Sequence, residues 1–181
     1  MIVAEAVQLI SPAIRPVGGA WADFGAGAGL FTRALASLLG PKGTVYAVDS
    51  DSGAISALRS LQAGQNNRAR ITPIEADFRE LSSFSALVRA PLDGALFANA
   101  LHFVPDAGGV LRDVRALLGE GGRIVIVEYD GRPANRWVPY PIPRAKLHEI
   151  ATALFGRAPS IIGERPSDYG GIMYCAELEA R

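Results

Sequence analysis

Short apolar runs closed by Gly, Pro, Asp or Asn alternate along this chain with longer stretches in which apolar positions recur three and four residues apart. The first pattern predicts buried strands and the second amphipathic helices, and their alternation predicts βα units around a parallel sheet. A short helix is expected over Val3–Ile10, ended by Ser11-Pro12. Strands are expected at Ala20–Phe24, Thr44–Val48, Arg70–Ile74, Leu92–Phe97 and Arg123–Val127, the last being the clearest buried run. Helices are expected at about Leu30–Leu39, from a cap at Asp51 or Ser52 to Leu61, at Phe84–Arg89 and at Asp106–Leu118. Gly40-Pro41-Lys42-Gly43 and Gly119-Glu120-Gly121-Gly122 read as the turns that feed the second and fifth strands.

Beyond the fifth strand the pattern changes. Tyr129–Arg144 holds four prolines, two tyrosines, one tryptophan and three arginines, the composition of an ordered loop rather than a flexible linker. A helix at Arg144–Phe155 and two strands, Ser160–Glu164 and Ile172–Leu178, complete the prediction. The joint Pro166–Gly171 reads as an antiparallel connection.

Bulk properties narrow the function. The length of 181 residues suits one domain. Eighteen basic side chains balance eighteen acidic ones, without the cationic excess that phosphate binding calls for. A nucleic-acid partner is therefore not expected. No apolar run approaches the roughly 20 residues of a membrane span, and Met1–Glu5 has no basic leader, so a soluble cytoplasmic protein is expected. Cys175 stands alone, which excludes an internal disulfide and a multi-cysteine metal site. His102 and His148 show no ligand spacing, and no metal is expected.

The candidate chemistry begins at Asp23-Phe24-Gly25-Ala26-Gly27-Ala28-Gly29, between a predicted strand and a predicted helix. Glycines there let a ligand approach backbone, and the helix offers free N–H groups. A dinucleotide fingerprint would place its third glycine at position 30, where this chain has Leu30. Asp49 closes the second strand, where a carboxylate can accept two hydrogen bonds from adjacent ribose hydroxyls.

The segment Trp21–Leu35 resembles motif I of the class I, Rossmann-like S-adenosylmethionine-dependent methyltransferases. Thr44–Asp51 is similar to that family's second strand with its ribose-binding acid, and Ile74–Phe78 to its adenine-binding segment. Leu92–Asp106 resembles the fourth strand with its active-site edge, and Gly121–Glu128 the fifth strand. These five segments cover about residues 20–128 in the family's order and spacing. The resemblance implies an α/β fold, a seven-stranded, mostly parallel doubly wound sheet of order 3-2-1-4-5-7-6 with strand 7 antiparallel. It implies one domain over 1–181: an N-terminal helix in 1–19, a cofactor-binding core in 20–128, and a substrate-side loop, late helix and terminal strand pair in 129–181. The cofactor is S-adenosyl-L-methionine. Asp23, Gly25 and Gly27 would line its methionine end, with Ala26 and Gly29 in the same cofactor-binding segment; Asp49 would hold the ribose, Asp77 and Phe78 the adenine, and the Asn99 backbone the methionine amino group. Ser50 occupies a cofactor-side position where the family often carries an apolar residue.

The acceptor is read by elimination. Asn99-Ala100-Leu101-His102 lacks the Asn/Asp-Pro-Pro-Tyr/Phe run linked in this superfamily to amino-group methylation of adenine or glutamine. Cys175 follows Tyr174 rather than proline and reads as a small core residue, not the nucleophile that pyrimidine carbon methylation needs. The catalytic candidates are His102, either a base or a structural histidine, and Glu128 and Tyr129 at the same sheet edge; Glu128 could orient an acceptor or pair with Arg123. Trp137–Pro143 is a candidate substrate wall, with Arg132, Arg136, Arg165 and Tyr169 as further contacts. Two functions follow: methyl transfer to a small organic acceptor, or a non-catalytic S-adenosylmethionine or S-adenosylhomocysteine module acting through a partner. Few residues are left for a lid, so an open site, a homodimer or a partner protein completing it are all consistent with the chain.

Overall fold

The computed structural model describes residues 1–15, 17–62, 67–81, 88 and 91–180. Seven strands form one sheet in the order β3-β2-β1-β4-β5-β7-β6. They are β1 (Ala20–Phe24), β2 (Thr44–Asp49), β3 (Arg70–Glu75), β4 (Leu92–Ala98), β5 (Leu118–Asp130), β6 (Ser160–Pro166) and β7 (Ile172–Glu179). β1 to β5 run parallel, whereas β7 lies antiparallel to both β5 and β6. This is the sheet that the resemblance implies.

The strands run where branched and aromatic residues cluster because both sheet faces are covered. On one face α1 (Val3–Ile10), α2 (Leu30–Leu39) and α3 (Ser52–Leu61) close over Trp21, Val45 and Val125. On the other, α4 (Ala107–Arg115) and α5 (Arg144–Phe155) close over Phe24, Phe97 and Ile126. Trp21, Phe24 and Phe97 are fully buried, and each contributes about 1.5–3 kcal/mol of transfer free energy. Asp51 caps α3 by accepting a 2.7 Å hydrogen bond from the Ala54 amide, as its position before the helix predicts.

Three expectations need adjustment. α4 ends at Arg115, three residues short of the predicted Leu118, because Leu118 is recruited into β5 opposite Leu92. Residues 119–122, expected as a plain turn, lie inside the span of β5, and the register shift between Leu92 and Gly94 absorbs them. β5 also continues past Val127 to Asp130, since β7 pairs with it along that whole length. The helix expected at Phe84–Arg89 falls outside the described residues, apart from Val88.

The parallel order reverses between β1 and β4, and ligands bind open α/β sheets at such a point, beyond the carboxyl ends of the strands. Here those ends carry Phe24, Asp49, Glu75, Ala98 and Asp130. No helix among the described residues is long and apolar enough to cross a membrane.

Candidate functional site

The loop after β1 is tied down at each end. Gly25 and Ala26 donate their amides to the Val48 carbonyl at 2.9 and 3.0 Å, which holds the loop against the end of β2. Gly27 then donates to Asp49 Oδ2 at 2.8 Å, and Asp51 donates its amide to Oδ1 at 2.9 Å. The Asp49 carboxylate is thereby fixed in orientation. An ionised carboxylate offers about four acceptor positions, so two remain for a ligand.

The three glycines do different work. All have positive φ: 72° at Gly25, 54° at Gly27 and 83° at Gly29. A Cβ at Gly25 would sit 2.6 Å from that of Ala100, so this glycine lets the loop close on the end of β4. At Gly29 a Cβ would meet Leu61 at 2.5 Å and Leu58 at 3.0 Å, so it lets α2 start against α3. Gly27 alone would point a Cβ into open space. That space is a cavity of about 610 Å³, within the roughly 300–1,000 Å³ of small-molecule sites.

Gly25, Gly27, Asp49, Ser50, Asp77, Phe78 and Asn99 line this cavity together. Asp23, Ala26 and Gly29, expected beside them, do not. Asp23 is buried beneath the loop, where Thr32 donates its hydroxyl to Oδ2 at 2.6 Å and Oδ1 has no partner. Burial pushes the Asp23 carboxyl up to about 7, the Thr32 hydrogen bond opposes the shift and the Asp49 charge adds to it. Arg79, Ala100, Phe103 and Val104 also line the cavity and were not anticipated. Arg79 ion-pairs with Asp77 and also donates its backbone amide to that carboxylate at 2.9 Å. The Arg79 hydrogen bonds hold the Asp77 carboxyl below its ordinary range. The Phe78 ring packs edge-on against Phe24 and Phe97, with centroids 6.4 and 5.7 Å away. That ring anchors the segment, and Phe78 lines the cavity.

Asn99 closes β4 with a left-handed backbone, φ 54°, and donates its amide to the Val127 carbonyl at 2.8 Å. Its side-chain Oδ1 is buried without a partner. Asn99 also lines a second cavity of about 210 Å³, walled by Leu30, Phe31, Tyr129, Arg165, Tyr169 and Met173. The two cavities share this residue in their walls.

His102 and Glu128 are buried together. Nδ1 of His102 lies 2.7 Å from Glu128 Oε2, and its backbone amide donates to Oε1 at 3.2 Å. The His102 carbonyl in turn accepts from the Tyr140 amide at 3.0 Å. Neither residue lines either cavity. Glu128 does not take the arginine partner considered for it, because Arg123 pairs with Glu177 at 3.2 Å. Tyr129, one position further along β5, points to the opposite face and walls the second cavity. Burial raises its hydroxyl pKa above the ordinary tyrosine value. Trp137 stands 64% exposed under Arg136 and lines neither cavity, so the proline-rich segment does not place its tryptophan as a wall. Cys175 is fully buried, and burial pushes its thiol up to about 12, which removes it as a nucleophile. No cluster of three or more His, Cys, Asp or Glu suited to a metal occurs among the described residues.

The doubly wound sheet, its antiparallel seventh strand and the glycine loop tied to an acid on the neighbouring strand define a class I methyltransferase. Residues 22–124, more than half of the chain, match the family model described as a methyltransferase domain, and the protein belongs to that family: it is an S-adenosylmethionine-dependent methyltransferase. Solved structures share its fold. An arsenic(III) S-adenosylmethionine methyltransferase from Chlamydomonas reinhardtii superposes with a TM-score of 0.72 at 16% identity, over 95% of this chain and 72% of the other. A SAM-dependent methyltransferase from Aquifex aeolicus gives 0.70 at 14% identity, over 96% and 89%. The 1,6-didemethyltoxoflavin-N1-methyltransferase of Burkholderia thailandensis gives 0.69 at 24% identity, over 98% and 78%. A search of curated proteins gives no match.

The residues present fit this cofactor. The space opposite Gly27, the pre-oriented Asp49 carboxylate with two free acceptor positions and the orphaned Asn99 Oδ1 give an adenosyl amino acid room, a sugar contact and a polar contact.

Proposed function

We propose that this enzyme methylates a small organic acceptor bound in the 210 Å³ cavity, with its cofactor in the 610 Å³ cavity. In this reading Asp49 holds the ribose, Asp77 and the Phe78 backbone face the adenine, and Gly25, Gly27 and the Asn99 backbone receive the methionine end. The observation that carries it is Asn99, which walls both cavities and so sets donor and acceptor side by side.

S-adenosylmethionine supplies a methyl group already activated on a sulfonium. What the chain has to add is alignment, which can lower a barrier by as much as about 7–11 kcal/mol. Phe31, Tyr129 and Met173 supply apolar wall to the acceptor cavity. The His102–Glu128 pair acts as a positioning device: it fastens residues 101–103 to β5, and that turn delivers Phe103 and Val104 to the cofactor cavity. Tyr129 is the polar group of β5 that faces the acceptor.

The dimensions support a small molecule over a macromolecule, since the acceptor cavity has room for little more than one ring. A labelled-methyl assay across phenols, carboxylates, ring nitrogens and amines tests this. Label recovered in a small organic product is expected; label recovered only in protein or RNA overturns the proposal. Tyr129→Ala should lower turnover while cofactor affinity stays unchanged, and equal loss of both would place Tyr129 in the cofactor site.

A further inference from the structure

The two acids that line the cofactor cavity differ in what they have left to offer. Asp49 accepts from two backbone amides and keeps two acceptor positions open. Asp77 keeps none. Its Oδ1 accepts from the Arg79 amide and from Arg79 Nε, each at 2.9 Å. Its Oδ2 accepts from the same Nε at 2.8 Å and from Arg79 Nη2. These four contacts fill the roughly four positions of an ionised carboxylate. An amino group carried into the cavity meets an acid already taken by one residue of the chain.

That hold is easily released. The Arg79 side chain is 60% exposed, and exposed ion pairs contribute little. The backbone amide is fixed by the turn and continues to orient Asp77 when the guanidinium leaves. A hydrogen bond to an ionised acceptor within a cleft is stronger than such a pair, so a ligand donor wins the exchange.

The displaced guanidinium has a second place to go. Arg79 lines both the 610 Å³ cavity and a neighbouring one of about 270 Å³. Asp106 and Asp113 line that neighbouring cavity as well, and both are exposed. Asp106 Oδ1 accepts from the Gly109 amide at 2.8 Å as the cap of α4. Among the described residues neither acid has an ionic partner. One cation therefore stands between an acid it holds and two acids it does not.

We infer that Arg79 is a two-position latch on the adenine subsite: it closes on Asp77 before the cofactor arrives and passes to Asp113 and Asp106 when the adenine amino group takes its place. The inference rests on the reading that Asp77 faces the adenine. It makes the site selective for that amino group. A purine with oxygen there gives Asp77 no donor at that position and leaves the latch closed.

The test is calorimetric titration of S-adenosylhomocysteine and its deaminated analogue S-inosylhomocysteine into the full-length protein. Wild type is compared with Arg79→Ala, Asp113→Asn and the double variant. Loss of the competing guanidinium in Arg79→Ala should tighten S-adenosylhomocysteine about two- to fivefold. S-inosylhomocysteine, which does not open the latch, should gain nothing. Asp113→Asn should weaken S-adenosylhomocysteine about twofold in the wild-type background and have no effect beside Arg79→Ala. That coupling would join two residues that the structure does not pair. Weaker S-adenosylhomocysteine binding in Arg79→Ala would show that the guanidinium supports the cofactor, and overturns the inference. An equal gain for both ligands, or additive effects of the two substitutions, overturns it as well. Asp77→Ala separates the levels. Unchanged S-adenosylhomocysteine affinity there rejects the adenine placement itself, whereas weakened affinity there without tightening in Arg79→Ala rejects only the latch.

Discussion

The Gly27 amide donates to Asp49 Oδ2 at 2.8 Å, so the loop after β1 and the acid at the end of β2 form one hydrogen-bonded unit. If the cofactor sits here as proposed, its contacts from two strands are set before it arrives, which lowers the ordering cost of binding.

The glycines of that loop should separate by experiment. Gly27→Ala meets no protein atom, so its folding cost is the left-handed backbone alone, roughly 1–2 kcal/mol, and its methyl group enters the cavity. Gly29→Ala drives a Cβ to 2.5 Å from Leu61 and should destabilise more. Thermal melts with S-adenosylhomocysteine titrations should show Gly27→Ala losing mainly affinity and Gly29→Ala mainly stability. The reverse order would contradict the assigned roles.

His102→Ala should act on stability. It strands a buried Glu128 carboxylate that now accepts from the His102 side chain and backbone, a loss on the order of 3 kcal/mol. Denaturant unfolding measures it. Below the new melting temperature S-adenosylhomocysteine should still bind, because the backbone amide of residue 102 continues to hold the turn to Glu128. An unchanged midpoint with abolished turnover would instead make His102 a catalytic base.

The strands were legible because closed apolar runs under two helical layers leave few alternatives, and the place of Asp49 beside the glycine turn was legible because turn and acid stand one strand apart. Side-chain partners were harder. Position parity along β5 already puts Arg123 and Glu128 on opposite faces, yet only the register with β7, Val125 opposite Glu177, shows where Arg123 finds its acid. Arg79 carries a local signal, two residues past Asp77 at a strand end. The α4 boundary was missed because Leu118 suits either a helix or a strand, and its pairing with Leu92 decides.

Asp23 should make stability fall with rising pH. Its folded pKa, about 7, lies above the ordinary 3.8, so the folded state binds the proton more tightly. The stabilisation is full below pH 3.8 and is lost as pH rises through about 7. Each pKa unit corresponds to about 1.4 kcal/mol, so the effect amounts to a few kcal/mol. Urea unfolding of Asp23→Asn between pH 4 and 8 should show a flatter profile than wild type and greater stability above pH 7. Parallel profiles would show that Asp23 does not carry this dependence.

Calorimetric titration of S-adenosylhomocysteine into wild type and Asp49→Ala tests the placement of the cofactor most directly. Removing a charged acceptor of ribose hydrogen bonds should weaken binding at least about tenfold, or 1.4 kcal/mol, with the variant still folded by circular dichroism. Equal affinity in the two proteins would show that the cofactor is not held by the carboxylate at the end of β2.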